Sequence, residues 1–304
     1  MGVLAIVGPT AVGKTAVAVE LAGLTDAEIV SADSMAVYRG MDLATAKPTA
    51  EERARARFHL VDVTDPSEAF SAGRFQQSAV AAINDILSRG KTAMLVGGTG
   101  LYVRAALDGL DTGALQANVE IRARLREESA QALWDRLRDV DPGTASRLHP
   151  KDLKRIVRAL EIFEITGMPA SKVYKEAGPR AANYPGVRRF GLTMERAALY
   201  ARIETRIDRQ LAEGLVDEIR RLLDSGVEPG CVAMQGLGYK QMARYLLGES
   251  GFEEAVFLFK RDTRRFAKRQ WTWFRADPRI RWIDVGDLSP RQTAELIFEE
   301  VSGA

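Results

Sequence analysis

The chain of 304 residues has one cysteine, Cys231, and two histidines, His59 and His149. A lone cysteine excludes an internal disulfide and a cysteine-rich zinc site. The two histidines are too far apart in sequence to suggest a metal pair, and both read as structural. No apolar run approaches the ~20 residues of a membrane span, so no membrane contact is expected. An excess of one charge is missing too: 43 Lys and Arg against 41 Asp and Glu leave a net +2. A polyanionic partner must then be met by a local patch. The first apolar run starts at Val3, so no signal peptide is expected. A reducing, cytoplasmic setting is expected.

What is present starts at that first run. Val3–Val7 leads into Gly8, Pro9, Thr10, Ala11, Val12, Gly13, Lys14 and Thr15, and a helix-like segment follows at 16–22. Strand, G-x-x-x-x-G-K-[ST] loop and helix together are the phosphate-binding P-loop in its required context. Backbone N–H groups and the helix N-terminus face an anion there. Lys14 adds a point charge, and the Thr15 hydroxyl is placed to bind Mg²⁺. ATPases, GTPases, small-molecule kinases and some transferases share the motif, so nucleotide binding, ATP included, stays open.

Short apolar runs recur at 27–32, 59–63 and 92–97, with helical spacing of Phe75, Ala79, Ala82, Ile83 and Ile86 between the last two. Alternating strand and helix predicts an α/β fold, a P-loop NTPase-like parallel sheet core. From about 115 the strand pattern stops. One charged helix is expected over 120–140 and another over 152–165. Breaks follow at Gly167-Met168-Pro169, Gly178-Pro179 and Tyr184-Pro185-Gly186. Strands return at 188–192 and 280–285. Helices are expected at 196–212, 215–225, 239–247 and 253–275, and from Pro290. The expected organisation is a first core part at 1–114, a helical insertion or lid at 115–186, and a return to the core with C-terminal helices at 187–304.

Asp33 stands at the carboxyl end of the second predicted strand, where it would overlook the P-loop. A catalytic carboxylate and a turn or cap aspartate fit that position equally well. The fourth strand ends in Gly97-Gly98-Thr99-Gly100. An ATP-driven motor would carry an acid and a base there, and neither is present. Asp62 is a weak substitute that reads equally as structural. The segment 260–275 is rich in cations, with Arg261, Arg265, Lys268 and Arg275 in one helical stripe. A solvated basic face is the ordinary reading, and an RNA backbone would also suit it. Arg202 and Arg206 lie four apart on a helix, where surface pairs with Glu204 or Asp208 are the plain expectation.

Together these segments resemble the tRNA dimethylallyltransferase family. The resemblance rests on Gly8 to Thr15, Asp33-Ser34-Met35-Ala36-Val37-Tyr38, Gly40-Met41-Asp42, Thr45-Ala46-Lys47-Pro48, His59-Leu60-Val61-Asp62 and Gly97 to Tyr102. It continues in Arg155 to Glu161, Gly238-Tyr239-Lys240, Ala267-Lys268-Arg269-Gln270 and Thr272-Trp273-Phe274-Arg275. It implies transfer of the dimethylallyl group of dimethylallyl diphosphate to N6 of adenosine 37 of tRNA, 3′ of the anticodon. Asp33 is then the general base and an adenosine contact. Thr10, Lys14, Thr15 and Arg206 hold the diphosphate and Mg²⁺, with Thr10 and Arg206 acting on the leaving group. The implied contacts with the anticodon stem-loop are Asp33, Ser34, Met35, Ala36, Thr99, Arg122, Lys154, Arg155, Ile156, Val157 and Arg158. Gln235, Gly236, Leu237, Gly238, Tyr239 and Lys240 complete them. The absence of a cysteine-bearing zinc finger makes the chain similar to bacterial members, and a monomer is expected. One departure is the 110–119 connection, which lacks the proline-rich spelling usual before Arg122.

The implied chemistry suits the residues. An exocyclic adenine amine becomes strongly acidic as it bonds to carbon, so a carboxylate of ordinary acidity is an adequate base at that moment. Charge accumulates on the leaving diphosphate, where Lys14 and Arg206 would meet it. Three rivals remain open on sequence: a small-molecule kinase, a prenyltransferase acting on free AMP, and a nonenzymatic RNA-binding protein that uses a nucleotide as a switch.

Overall fold

The computed structural model describes residues 2–109, 118–176, 183, 184 and 186–303. The chain divides into two compact units, Met1–Leu107 with Asn183–Ala304, and Asp108–Ala182. In chain order the first unit opens with β1 (Val3–Val7), α1 (Lys14–Thr25), β2 (Ala27–Ser31), α2 (Ala50–Arg55) and β3 (Phe58–His59). It continues with α3 (Ala72–Ser88), β4 (Thr92–Gly97) and α4 (Gly100–Leu107). The second unit holds α5 (Val119–Glu127), α6 (Ala130–Val140), α7 (Pro142–Ala145), α8 (Leu153–Thr166) and α9 (Ala170–Glu176). The first unit resumes with β5 (Arg188–Thr193), α10 (Arg196–Ala212), α11 (Leu215–Asp224), α12 (Tyr239–Leu246) and α13 (Phe252–Arg275). It closes with β6 (Ile280–Asp284) and α14 (Pro290–Ser302).

Six strands among the described residues form one sheet in the order β3-β2-β4-β1-β5-β6, every pair parallel. Helices must then cover both faces, and β1 and β2 are buried at every residue. Register brings the strand ends level. Val7 pairs with Gly97 and Gly191, and Ser31 pairs with Val96. The P-loop, the Gly98–Thr99 turn and Asp33 therefore leave the sheet side by side, at its carboxyl edge. Open α/β sheets bind ligands at that edge.

The second unit has its own core, built on Leu125, Leu133, Leu137, Ile156, Leu160 and Ile162. Its first expected helix, 120–140, is two. Extended backbone at Glu128 ends α5, and Ser129 caps α6 by accepting from the Ala132 N–H, a stronger local signal than the continuous charge pattern suggests. The third predicted strand, 59–63, is also cut short. Leu60 (φ 61°) and Asp62 (φ 59°) turn the backbone left-handed, which a strand cannot accommodate. The expected breaks at Gly178-Pro179 and Pro185, and most of the 110–119 connection, lie outside the described residues.

Candidate active site

The loop from Gly8 to Gly13 delivers α1 with an open N-terminus. Gly13 caps it at φ 102°, no side chain caps the first turn, and no acid lies in it. Its orphan N–H groups are left for an anion. Lys14 Nζ donates to the Pro9 carbonyl at 2.7 Å, folded over its own loop. Burial pushes its ammonium down to about 8; Asp33 opposes that shift and Arg206 adds to it.

Arg206 arrives from α10 and donates from Nη2 to Thr10 Oγ1 at 2.7 Å. The expected surface pairs go elsewhere: Glu204 is taken by Arg264, and Asp208 by Lys260 at 2.6 Å. Burial pushes the Arg206 guanidinium down to about 10 against the pull of Asp33. Its buried Nε has no hydrogen-bond partner among the described residues. Among the described residues neither Lys14 nor Arg206 has a carboxylate ion partner. Two unpaired cations and an open helix N-terminus are costly together unless an anion joins them.

Asp33 divides its carboxylate. Oδ1 accepts from the Met35 N–H at 2.8 Å and the Ala36 N–H at 3.3 Å, closing a turn. Oδ2 accepts no hydrogen bond among the described residues. The turn is tied to the neighbouring strand end: the Ser34 N–H donates to Thr99 Oγ1 at 3.1 Å, and the Thr99 N–H to the Ala32 carbonyl at 3.2 Å.

Three residues beyond the sequence-derived site fix the loop that follows. Lys47, its side chain 3% exposed, donates to the Tyr38 carbonyl, Asp42 and Asp62 at 2.5–2.6 Å. Asp62 is thereby structural. Buried Glu218 accepts from the Asp42 and Leu43 N–H groups and from the Tyr239 hydroxyl. Gln270, on α13, reaches the P-loop itself. Lys47 and Gln270 stand in motifs that carry the resemblance, Thr45-Ala46-Lys47-Pro48 and Lys268-Arg269-Gln270. Glu218 gave no sequence signal beyond its place on a helix.

The expected RNA contacts are distributed unevenly. Gln235 and Lys240 are exposed, Leu237 is half-buried, and Gly236 and Gly238 are buried. The Tyr239 ring is interior, and burial raises its hydroxyl far above its usual range. In the second unit Lys154 and Arg155 are exposed, whereas Ile156 and Val157 turn into that unit's core. Arg122 and Arg158 both pair with the buried carboxylate of Glu161, at 2.9 and 2.7 Å. Along α13, Arg261 pairs with Asp262, while Arg265, Lys268, Arg269 and Arg275 are exposed. Trp271 and Phe274 are in the core.

A sequence model of the family described as IPP transferase matches residues 36–277. A tRNA dimethylallyltransferase of Symbiobacterium thermophilum is 50% identical over 298 residues, covering 96% of this chain and 92% of that protein. A tRNA dimethylallyltransferase 1 of Pelobacter propionicus is 49% identical, covering 93% and 92%. Among solved structures, the full-length tRNA isopentenylpyrophosphate transferase of Bacillus halodurans is 42% identical with a TM-score of 0.75, over 99% and 96% of the two chains. A eukaryotic dimethylallyltransferase caught acting on tRNA superposes with a TM-score of 0.83 at 26% identity, over 99% of this chain and 79% of that one. No helix among the described residues is long and apolar enough to cross a membrane. With the family match spanning most of its length, and relatives of this identity along nearly all of it, the chain belongs to the IPP transferase family.

Proposed function

We propose that this protein is a tRNA dimethylallyltransferase, moving the dimethylallyl group of dimethylallyl diphosphate to N6 of adenosine 37. The observation that carries the reading is the free oxygen of Asp33, whose charge acts on both Lys14 and Arg206, two cations without a carboxylate partner. The P-loop N–H groups, Lys14, Thr10 and Arg206 hold the diphosphate. N6 attacks C1 of the prenyl group, the C1–O bond breaks, and its electron pair leaves with the diphosphate. The N6 proton passes to Asp33 as the new C–N bond forms. Arg206 and Lys14 stabilise the charge that gathers on the leaving group.

Magnesium fits the donor set. Beside phosphates it takes one or two protein oxygens and several waters, and the Thr15 hydroxyl, on the first turn of α1, supplies one. Bound there, the ion would neutralise diphosphate charge. Exposed Lys154, Arg155, Lys240, Lys268, Arg269 and Arg275 suit an RNA backbone, and the target base must leave its stack to be reached. The lid role expected for the helical unit is tested by hydrogen exchange. Its protection should rise with tRNA; equal protection in both states counts against it.

The deciding experiment incubates the protein with dimethylallyl diphosphate and unmodified tRNA, then analyses nucleosides by mass spectrometry. N6-(dimethylallyl)adenosine at position 37 is the expected product. Prenylation of AMP but not tRNA, or phosphoryl transfer from ATP, would replace this reading with one of its rivals.

A further inference from the structure

Helix α13 presses two side chains, three residues apart, against two glycines that are two residues apart. A Cβ on Gly98 would stand 2.2 Å from Gln270 Nε2, and one on Gly100 would stand 2.1 Å from the Trp273 ring. A side chain at either position would displace Gln270 or Trp273 from its present place. Gln270 is 6% exposed and uses both ends of its amide. Nε2 donates to the Gly98 carbonyl at 2.9 Å, and Oε1 accepts from the Thr10 N–H at 2.8 Å. A reversed amide would set donor against donor and carbonyl against carbonyl, so one orientation is dictated. One P-loop N–H is therefore committed to the protein and not to the phosphates.

The consequence lies in what each partner touches next. Thr10 Oγ1 accepts from Arg206, the cation proposed above to meet the diphosphate. Thr99, beside Gly98, accepts from the Ser34 N–H, next to Asp33. Gln270 thus joins the group that receives leaving-group charge to the turn that carries the carboxylate. We propose that Gln270 is a positioning residue for prenyl transfer, fixing Thr10 and Arg206 relative to the Asp33 turn; this rests on the function proposed above. It touches neither substrate. It acts through Thr10 and Gly98, and its role is separate from that of the exposed cations on the same helix.

The test uses Gln270→Met and Gln270→Glu beside the wild type. Gln270→Met keeps the volume and loses both bonds. Its kcat should fall about 10²-fold, the cost of misplacing reacting groups by about 1 Å. Its affinity for inorganic pyrophosphate, read by calorimetry, should fall about tenfold, since Thr10 and the Arg206 guanidinium bonded to it lose their anchor. The KM for tRNA should change less than about twofold.

Gln270→Glu supplies a readout that loss of packing would not give. Ionised, its carboxylate opposes the Gly98 carbonyl; protonated, it restores both bonds. Its kcat relative to wild type should therefore rise as pH falls, in the range of a buried carboxyl. Wild-type turnover and pyrophosphate affinity in Gln270→Met overturn the proposal. So does a Gln270→Glu pH profile parallel to that of the wild type, which decides the matter if Gln270→Met does not fold. A wild type that binds pyrophosphate but transfers no prenyl group overturns the proposed function, and the pyrophosphate titration still judges Gln270.

Discussion

The two ends of the parallel sheet treat buried charge in opposite ways. At the amino end of β2, Glu28 is 4% exposed in its side chain and fully served. Arg89 meets it with two bonds of 2.5 and 2.7 Å, and His59 Nε2 with one of 2.8 Å. Arg57 and Lys91 stand at 3.7 and 3.6 Å. The Arg89 bonds hold its carboxyl down to about 2 despite burial. At the carboxyl end, Lys14 and Arg206 lack any such partner among the described residues, and burial drags both down. A saturated buried charge reports on stability. A buried charge left wanting reports on a ligand that is to arrive.

That contrast is broken most forcefully at Asp33. Asp33→Asn keeps the turn-closing acceptor and removes the proton acceptor. Single-turnover transfer should fall about 10²–10⁴-fold, with pyrophosphate binding little changed. Near-normal single-turnover rates would make Asp33 a positioning residue and send the proton to water or the departing diphosphate. Arg206→Gln should cost about 10²–10³ in kcat, the range for one leaving-group donor. Its thermal unfolding should match or exceed the wild type, because an unpaired buried cation is removed. A destabilised Arg206→Gln would show that Arg206 belongs with the structural charges after all.

Glu28→Gln is the mirror experiment. Arg89 and His59 lose their charged partner, so stability should drop by about 2 kcal/mol at neutral pH while kcat and KM stay put. The sign follows from the lowered carboxyl. Its contribution is complete above about 4.5, the ordinary glutamate value, and is lost as pH falls toward about 2. Acid titration of wild type and variant should converge in that window. The smallest effect concerns Lys14. Its ammonium is charged below about 8 in the free protein, and a bound diphosphate favours the charged form. Measured relative to Lys14→Met, which cancels the titration of pyrophosphate itself, pyrophosphate affinity should be flat below about pH 8 and weaken by at most tenfold per unit above it. A flat profile up to pH 10 would remove Lys14 from the anion site.

The sequence disclosed what is local. Val3–Val7, the P-loop and the helix after it follow from composition and spacing, as do β4, β5, β6 and the C-terminal helices. It disclosed less where a distant partner decides. The run at 59–63 has the composition of a strand, yet Lys47 and Arg53 capture Asp62 and the strand ends after His59. Arg206 looked like a surface cation on an amphipathic helix, and its target is 196 residues away. Gln270 was legible only as part of the motif Lys268-Arg269-Gln270, with no role of its own, because the carbonyl that it binds is 172 residues earlier. Asp33 left two readings open on sequence, a turn former and a base. In the structure Oδ1 closes the turn, and the free Oδ2 is what the second reading requires.

The long reach of Arg206 and Gln270 also bears on the birth of the chain. The phosphate loop leaves the ribosome well before the side chains that grip Thr10, which are encoded 196 and 260 residues later. At roughly 5–20 residues per second, the loop waits on the order of 10–50 s for them. During that interval the nascent chain carries the phosphate-binding motif without its clasp, so anion affinity should mature only once α13 has emerged and folded back.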